Sequence, residues 1–529
     1  MQVKKLQLLF LVLSISTVAV LGVLRLSETY TGDQALFTVY ASQILDGAVL
    51  YRDVWDVKQP GIFLFYLVGG FLFGFNEIGI HLFELINWLL FSILLSVLLN
   101  DYFRASWLVS FAPLFTVGYY YVVAGSQQLT QVEGLVGLPL FLSFALLIRF
   151  RETTNTRWWH LVCAVSGLSI ASVIFLKLAY LPIAGISILL CFFWIRTVQK
   201  KKEVRGRSYA GLTISAIAII TPIVAIVIYF YFNSALDEFV YATFKYPSEA
   251  ISLHGGWDRL PTLKSSVRWF GIAFLPLILL TVLFFLLALS RSIQRFRRGD
   301  WPSDVERSEW IISLCLMSWL FVGLGLVLLQ ATSWWAYHFI LFFIPLGILA
   351  LKGVDELLEF LSSFLTAGSL RPLSFLFGLS LITGFLAIFY AERLKNRETS
   401  VSLVSPSQIF ERRGDNIRNY ARILEDPYLS VLSSGEPDQL FVCGDPLYYY
   451  LFDVPVSFSS NGWMPEFFVA KQWLIFESEL ERSTPWFLVI DPGCESMIRN
   501  NAPGAFELIN ARYSILGRSE HAVWFKRNS

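Results

Sequence analysis

The stretch ETYTGDQALFTVYASQILDGAVLYRDVWDVKQPG, from Glu28 to Gly61, decides how the chain is organised. It directly follows the first long apolar run and contains seven charged residues, namely Glu28, Asp33, Asp46, Arg52, Asp53, Asp56 and Lys58. Only 15% of the chain is charged, so this density beside an apolar run is too high for a simple connection. We interpret the stretch as a first loop outside a membrane that carries the reactive groups.

Composition places the chain among polytopic membrane proteins with a mainly α fold. Hydrophobic residues make up 55% of the sequence, aromatic residues 16%, and the mean hydropathy is +0.59. Apolar runs of about 20 residues, long enough to cross a bilayer as helices, recur along the chain. The net charge of +1 gives no reason to expect a nucleic-acid partner.

We count about eleven membrane-spanning runs, each close to the length that a bilayer requires. The predicted spans are 6–26, 79–99, 105–125, 132–149, 159–177, 179–195, 209–232, 269–290, 310–330, 336–351 and 373–390. The first run begins with Lys4 and Lys5 but is long for a signal peptide and lacks an A-x-A site, so we expect it to remain as an anchor.

Residues Ile62 to Phe75 form one further apolar run, which is short for a span. With eleven spans, the basic segments RTVQKKKEVRGR (196–207) and RSIQRFRR (291–298) lie in the cytoplasm, as the positive-inside rule requires. A twelfth span at residues 62–75 would place both segments outside. We therefore predict a cytoplasmic N-terminus, an outer loop over 27–78 with juxtamembrane helices, and a helix on the outer leaflet at residues 62–75.

Residues 391–529 have shorter apolar runs and more charge, and they predict a small α/β domain outside the membrane after a transmembrane domain at 1–390. The predicted strands are FVCGD (441–445), FLVID (487–491), YSILG (513–517) and HAVWFKR (521–527). Cys443 and Cys494 follow two strands that would be parallel neighbours. A disulfide between them is open, but two ordinary buried cysteines are the favoured interpretation.

Several enzyme classes lack their usual sequence signals. The chain has no G-x-x-x-x-G-K-[ST], H-E-x-x-H, G-x-S-x-G or C-x-x-C motif, which removes the standard indications of nucleotide hydrolysis, zinc proteolysis and serine-hydrolase chemistry. The five histidines are scattered one by one, so a histidine metal cluster is not predicted.

Two acidic residues at the predicted outer rim are the best candidates for chemistry. Asp33 begins a short helical pattern that ends at Gly47, and Glu133 begins the fourth predicted span in QVEGLVGLPL. Because a carboxylate near the hydrocarbon region is unfavourable unless it is paired or used, such acids are functional candidates. Asp53 is an even choice between a functional and a solvated acid, and Asp56 and Glu28 are interpreted as solvated.

Three basic residues are candidates for binding a phosphate group. Lys58 precedes Gln59-Pro60-Gly61 and the outer-leaflet helix, a position where an ammonium meets a lipid phosphate or marks the interface. Arg52 is a weaker candidate. Lys177 is predicted at the outer face in FLKLAY, where the alternative is a residue that caps a tight turn. The run Trp334, Trp335 and Tyr337 before His338 fits an aromatic belt better than a stacking surface.

The motifs resemble the GT-C membrane glycosyltransferases that use polyprenyl-phosphate sugars, the superfamily of protein O-mannosyltransferases and lipid A aminoarabinose transferases. The matching elements are Asp33 after the first span, Tyr51-Arg52-Asp53, Lys58-Gln59-Pro60, Glu133, Lys177, the Y-H-F-x-L-x-x-x-P segment from Tyr337 to Pro345, and FVCGDPLYYYLFDVPVSF (441–458). The similarity spans nearly the whole chain, and its specific part is the first loop.

The resemblance implies an inverting sugar transfer on the outer face of a plasma (inner) membrane, from a polyprenyl-phosphate donor to an acceptor hydroxyl. It assigns Asp33 as base with Glu133 in support, Lys58, Arg52 and Lys177 to the donor phosphate, and Tyr51, Asp53, Tyr337 and His338 to the substrate. The acceptor is open among protein, lipid and polysaccharide. A divalent metal is also open, because a single aspartate stands where some members have an acidic pair.

Two other classes of protein fit the composition. A transporter would use the helices as a solute path, but its related halves and polar interruptions at mid-span are missing from the sequence pattern. A non-catalytic lipid-binding or assembly protein would keep the fold and lose the acids, which this chain retains.

Overall fold

The chain folds into a bundle of long apolar helices followed by a small mixed sheet, as seen in a computed structural model. The structure describes residues 2–198, 202–298, 304–364, 376–384, 386–387, 390, 420–430 and 440–528. The predicted fold class, a mainly α polytopic membrane protein with a small C-terminal α/β region, is confirmed.

Fifteen labelled helices precede the sheet in the described part of the chain. They are α1 (Gln2–Val23), α2 (Gly32–Leu45), α3 (Pro60–Phe73), α4 (Glu77–Leu98), α5 (Tyr119–Val123), α6 (Val132–Leu135), α7 (Gly137–Arg149), α8 (Thr156–Lys177), α9 (Leu181–Val198), α10 (Lys202–Phe232), α11 (Leu236–Val240), α12 (Tyr246–His254), α13 (Leu260–Arg298), α14 (Asp304–Leu329) and α15 (Phe343–Phe364). Short 3₁₀ or π turns lie at Ser106–Phe111, Leu114–Gly118, Leu178–Tyr180, Tyr241–Lys245, Trp257–Arg259 and Ala336–Phe342.

Within the described residues, 9 segments are long and apolar enough to cross a membrane. One of them, Thr156–Arg196, is 41 residues long and covers α8 and most of α9. Lys177 separates the two helices, because its backbone leaves the helical conformation (φ −161°, ψ 102°). These segments overlap every predicted run except 373–390, which lies partly outside the described residues. The eleven-span count therefore stays a prediction.

The first outer loop contains the two juxtamembrane helices that the sequence predicts. Helix α2 starts at a capping box, in which the backbone N–H of Thr31 donates to Oε1 of Gln34 at 2.8 Å. Helix α3 starts at Pro60, whose fixed φ suits a first helical position. Its apolar residues Phe71 and Leu72 are 69% and 55% exposed, which suits contact with lipid.

The C-terminal sheet has four strands in the order β1-β2-β4-β3. The strands are β1 (Leu440–Cys443), β2 (Phe487–Ile490), β3 (Tyr513–Arg518) and β4 (Val523–Arg527), and the helices are α16 (Leu447–Leu451), α17 (Ala470–Ser483), α18 (Pro492–Asn501) and α19 (Pro503–Arg512). Strands β1 and β2 are parallel, while β4 pairs antiparallel with both β2 and β3. All four predicted strands are present.

Cys443 and Cys494 form a disulfide, so the expectation of two unpaired buried cysteines is wrong. Cys443 ends β1, and helix α18 begins directly after the neighbouring strand β2, where the Asp491 side chain accepts from the N–H of Gly493 at 2.7 Å. This early turn brings the two cysteine Cα atoms to 6.0 Å, within the range of a disulfide.

The C-terminal sheet packs on the first outer loop. Side chains of both regions share one buried apolar cluster, which includes Tyr40 and Phe63 from the loop and Tyr449 and Trp524 from the sheet region. The predicted domain boundary at residue 390 adjoins residues 391–419, which lie outside the described part, and it stays a prediction.

Candidate active site

Asp33 lies in the first turn of α2 and is 8% exposed. The helix dipole favours a negative charge at this end. Its Oδ1 accepts a hydrogen bond from the indole Nε1 of Trp463 at 2.8 Å, and its Oδ2 lies 3.8 Å from Nζ of Lys58. One carboxylate oxygen is thus held by a neutral donor, and the other faces a cation.

Lys58 is fixed through its backbone while its ammonium remains available. Its N–H donates to Oδ1 of Asp56 at 2.8 Å, and its carbonyl accepts from the phenol of Tyr51 at 2.8 Å. Nζ lies 5.4 Å from the centroid of the Phe37 ring and is beyond normal hydrogen-bond distance from Asp33. The side chain is 24% exposed.

The surrounding acids keep Lys58 charged. Burial lowers the pKa of its ammonium, but Asp33, Asp56 and Glu133 together outweigh burial, and the net result is a raised pKa. An ammonium with three donors and one distant counter-ion is suited to bind an anion.

Asp56 is buried, so its interpretation as a solvated loop acid is wrong. It is 7% exposed, and burial raises the pKa of its carboxyl despite the nearby Lys58. The side chain closes a turn onto the backbone of Lys58, which explains why it turns inward. Asp56 supports the lysine from within the loop.

Tyr51 holds Lys58 from the opposite side. Its backbone has φ 72°, a left-handed conformation that is a genuine outlier for a bulky residue. The side chain is 2% exposed and packs against Phe230 and Phe239, with ring centroids 5.5 and 5.8 Å away. The hydroxyl of Tyr51 donates to the Lys58 carbonyl. The predicted contact of Tyr51 with a substrate stays a prediction.

Glu133 is the centre of a second buried cluster. Its Oε1 accepts from Nζ of Lys177 at 2.6 Å and from the hydroxyl of Tyr180 at 3.3 Å, and it lies 2.9 Å from Nδ1 of His338. Lys177 also donates to Oε1 of Gln330 at 2.9 Å. The structure thus brings together three of the predicted site residues, Glu133, Lys177 and His338.

His338 has one free ring nitrogen in this cluster. It is 3% exposed, and its Nε2 makes no hydrogen bond within the described part of the protein. The ring of Tyr337 lies beside it, with centroids 4.4 Å apart. A buried ring nitrogen without a partner is a position where a bound polar group is stabilised.

The two clusters lie close enough to interact electrostatically. The charge of Glu133 acts on the ammonium of Lys58, Lys177 interacts electrostatically with both Lys58 and Asp33, and Tyr337 interacts with Asp33 and Glu133. These electrostatic interactions link the first outer loop with the start of α6, the end of α8 and the turn before α15.

Arg52 and Asp53 form a separate pair at the edge of the loop. Arg52 donates from Nε and Nη2 to the two carboxylate oxygens of Asp53, at 2.8 and 2.7 Å, and from Nη1 to the carbonyl of Asn233 at 2.7 Å. The hydrogen bond from Arg52 lowers the pKa of Asp53. Hydrogen bonds and ion pairs among the described residues do not join this pair to Asp33, Lys58 or Glu133.

The sequence interpretation missed Trp463. This residue lies in the loop SSNGWMPEFF (459–468) between β1 and α17. Gly462 and Pro465 mark the segment as a loop, but a single tryptophan there has no periodicity that assigns it to a site 430 positions away. Tyr180 and Gln330 were missed for the same reason.

The described side chains do not fit a protein-held divalent metal. Within the described residues, no group of three His, Cys, Asp or Glu side chains lies close enough to hold an ion. Asp33 and Glu133 have lysine partners instead, and a cation would compete with both ammonium groups. We therefore derive no step through a metal.

This chain is similar to known proteins in structure, without a match to a family model or a curated protein. Among solved structures, ArnT from Cupriavidus metallidurans bound to undecaprenyl phosphate has a TM-score of 0.55 at 13% identity, over 98% of this chain and 97% of that chain. The apo structure of the same protein has a TM-score of 0.55 at 12% identity, with the same coverage of 98% and 97%.

A third structure is less similar. The archaeal oligosaccharyltransferase AglB from Archaeoglobus fulgidus aligns with 96% of this chain and 72% of its own at 10% identity, but its TM-score of 0.44 is too low to support an inference. The match to ArnT shows that this chain shares the fold of that protein, and at 13% identity it shows the fold and nothing finer.

Proposed function

We propose that this GT-C protein is an inverting glycosyltransferase, which moves a hexosyl or pentosyl group from a polyprenyl-phosphate donor to an acceptor hydroxyl. The observation that carries the proposal is the pair formed by the Asp33 carboxylate and the Lys58 ammonium, 3.8 Å apart at a half-buried loop. A base and a phosphate-binding cation are the two groups that such a transfer needs.

The reaction exchanges one C–O bond for another at the anomeric carbon. The acceptor oxygen attacks from the face opposite the phosphate, the bond from the carbon to the phosphate oxygen breaks, and the polyprenyl phosphate leaves. Asp33 takes the proton of the acceptor hydroxyl through Oδ2. Attack from the opposite face inverts the configuration at this carbon.

Lys58 changes its counter-ion in this scheme. Without donor, its ammonium faces Asp33 at 3.8 Å. A bound donor phosphate replaces Asp33 as the partner of Nζ and stabilises the negative charge that develops on the leaving group. The same exchange frees Oδ2 of Asp33 to accept a proton.

The Glu133 cluster supports this chemistry from the side. Because Oε1 of Glu133 already receives three polar neighbours, we assign it to positioning Lys177 and His338 rather than to proton transfer. Lys177 adds positive charge near the donor phosphate, and Nε2 of His338 with the phenol of Tyr337 contacts substrate hydroxyls. Arg52 and Asp53 remain peripheral candidates for donor phosphate and substrate.

The proposed setting is a plasma (inner) membrane with the site on its outer face. The N-terminus lies in the cytoplasm, residues 1–390 form the catalytic transmembrane domain, and residues 391–529 form the extracytoplasmic domain. The Cys443–Cys494 disulfide supports this orientation, since disulfides persist outside the reducing cytosol.

The test is single-turnover transfer from a defined polyprenyl-phosphate sugar in reconstituted vesicles. Asp33→Asn keeps the shape of the side chain and removes its basicity, so we expect near-normal donor binding and transfer slower by roughly 10²- to 10⁴-fold. Asp33→Glu displaces the carboxylate and should also lose on the order of 10²-fold. The matched control is Asp46→Asn, which changes an exposed acid at the other end of the same helix.

Each alternative gives a different result in the same vesicles. A transporter would move solute without breaking the glycosyl phosphate bond, and a lipid-binding protein would bind the donor without turnover. Wild-type transfer by Asp33→Asn would remove the base from this position and the main support of the proposal.

A further inference from the structure

The indole of Trp463 contacts the candidate base directly. Its Nε1 donates to Oδ1 of Asp33 at 2.8 Å. A Cβ atom added to Gly32, the residue before Asp33, would lie 2.5 Å from the Trp463 ring. The ring therefore lies against the start of α2, and its N–H is directed at the carboxylate.

The backbone around Trp463 is held in an unusual conformation. Gly462 has φ 67° and Met464 has φ 53°, so left-handed residues flank the tryptophan on both sides. Methionine rarely adopts this conformation, and such strain persists where the surroundings impose it. The segment is shaped to present the indole at this place.

The same segment is fastened to the first outer loop. The side-chain amide of Asn461 donates to the hydroxyl of Tyr40 at 2.7 Å and to the carbonyl of Trp55 at 3.0 Å, while its Oδ1 accepts from the N–H of Trp463 at 2.8 Å. The N–H of Trp55 in turn donates to the carbonyl of Ser459 at 3.0 Å.

A third element of the chain holds the far end of the segment. The hydroxyl of Tyr246 donates to the carbonyl of Phe467 at 2.8 Å, and Nε2 of His254 lies 3.1 Å from the carbonyl of Phe468. Residues 459–468, which we name the Trp463 loop, are thus fixed to α2, to the turn before Lys58 and to α12.

We propose that Trp463 is a positioning residue for Asp33, and that the C-terminal domain completes the active site through the Trp463 loop. The N–H of the indole holds Oδ1, so that Oδ2 is the oxygen presented to the acceptor hydroxyl. The hydrogen bond therefore fixes the orientation of the carboxylate relative to the acceptor. This inference rests on the proposed function of Asp33.

The principal test is Trp463→Phe, which retains an aromatic ring against Gly32 and removes the N–H. Loss of a hydrogen bond to a charged group should slow single-turnover transfer by roughly 10- to 100-fold. Donor binding should stay at the wild-type level. The matched control is Trp486→Phe, a half-buried tryptophan of the same domain that stacks on Arg527.

A double-mutant cycle separates this role from a general structural one. If Trp463 acts through Asp33, Trp463→Phe should have no further effect in an Asp33→Asn background. Equal losses in both backgrounds would overturn the positioning role, as would wild-type transfer by Trp463→Phe. An active Asp33→Asn variant would instead overturn the proposed base, so the two failures are distinguishable.

A second replacement covers the case in which phenylalanine disturbs the fold. Incorporation of 3-benzothienylalanine at position 463 keeps the shape of the indole and replaces its N–H by sulfur. We expect the same slower transfer with an unchanged melting temperature. Full activity of this variant would overturn the inference whatever the phenylalanine variant does.

Discussion

The ammonium of Lys58 lies 3.8 Å from the carboxylate of Asp33, although the whole of helix α2 and a strained turn separate the two residues in sequence. The turn returns the chain to the start of the helix, where the Tyr51 hydroxyl and the Asp56 carboxylate fix the backbone of Lys58. An ammonium and a carboxylate are thereby placed together.

Replacement of Lys58 tests the cation. We expect Lys58→Ala to weaken donor binding and slow transfer with normal membrane insertion, because the donor phosphate loses its counter-ion. Lys58→Arg should retain part of the activity, since the charge persists with a different geometry. Binding of a labelled polyprenyl phosphate and single-turnover rates measure the two effects. The control is Lys264→Ala, which replaces an exposed lysine of α13. Wild-type donor binding by Lys58→Ala would contradict a role in phosphate binding and would leave Lys58 as a residue that marks the membrane interface.

Replacement of Glu133 tests the second cluster. Glu133→Gln leaves the partly buried Lys177 without its counter-ion. Because Glu133 itself is buried, breaking this pair should destabilise by up to roughly 3–5 kcal/mol. We expect a lower melting temperature in detergent and a transfer rate reduced less than by Asp33→Asn. Glu133→Gln combined with Lys177→Met should recover stability without recovering transfer. A double variant as unstable as the single one would contradict the pairing.

The buried carboxyl of Asp56 predicts a pH-dependent stability. Burial raises its pKa in the folded protein above the unfolded value, so its contribution to stability is full below about pH 4 and is lost as the pH rises through the folded-state pKa. Asp56→Asn keeps the acceptor for the Lys58 N–H but does not titrate. We expect the melting temperature of this variant to rise relative to that of the wild type as the pH increases above about 4. A difference that is constant with pH, as expected for the exposed Asp46→Asn, would contradict this burial.

Gly61 tests the packing that supports Lys58. A Cβ at Gly61 would lie 2.5 Å from the backbone oxygen of Phe175 in α8, and backbone cannot yield as a side chain does. Gly61→Ala should therefore push α3 away and destabilise by roughly 1–3 kcal/mol, with slower transfer. Gly271→Ala is the matched control, because nothing lies within 4 Å of that position. Equal melting temperatures for the two variants would argue against close packing of α3 and α8.

The predicted topology has its own test. Single cysteines at position 201 and at Gln294 should be protected from an impermeant thiol reagent in intact cells, while those at Asp46, Ser248 and Asp453 should react. The native cysteines Cys163, Cys191 and Cys315 are buried and give little background. Labelling of positions 201 and 453 from the same side would contradict the predicted eleven-span topology.

Local features of the sequence predicted much of the fold and part of the site. Apolar length identifies spans such as Glu77–Leu98, and the proline at position 60 marks the start of α3. The charges of Asp33 and Lys58 were recognised because they are rare beside a span. The burial of Asp56 was not predicted, because an Asp-x-Lys spacing is common in solvated loops and burial depends on tertiary packing.

Contacts between residues that lie far apart in the chain could not be predicted from the sequence. Glu133 meets Lys177 and His338 across 44 and 205 positions, and these partners follow from helix packing rather than from any local pattern. The pairing of Cys443 with Cys494 depends on where α18 begins after β2, the parallel neighbour of β1. Trp463 is the extreme case, since its partner lies at the opposite end of the chain.

The hydrogen bond between Asp33 and Trp463 also orders events during synthesis. The two residues are 430 positions apart, and at 5–20 residues per second the ribosome needs roughly 20 to 90 s to travel between them. During this interval the first outer loop is already made, but its carboxylate lacks the indole partner. The candidate site is therefore among the last parts of the molecule to mature, and a nascent chain that stops short of residue 463 has the lipid-facing helices without the finished site.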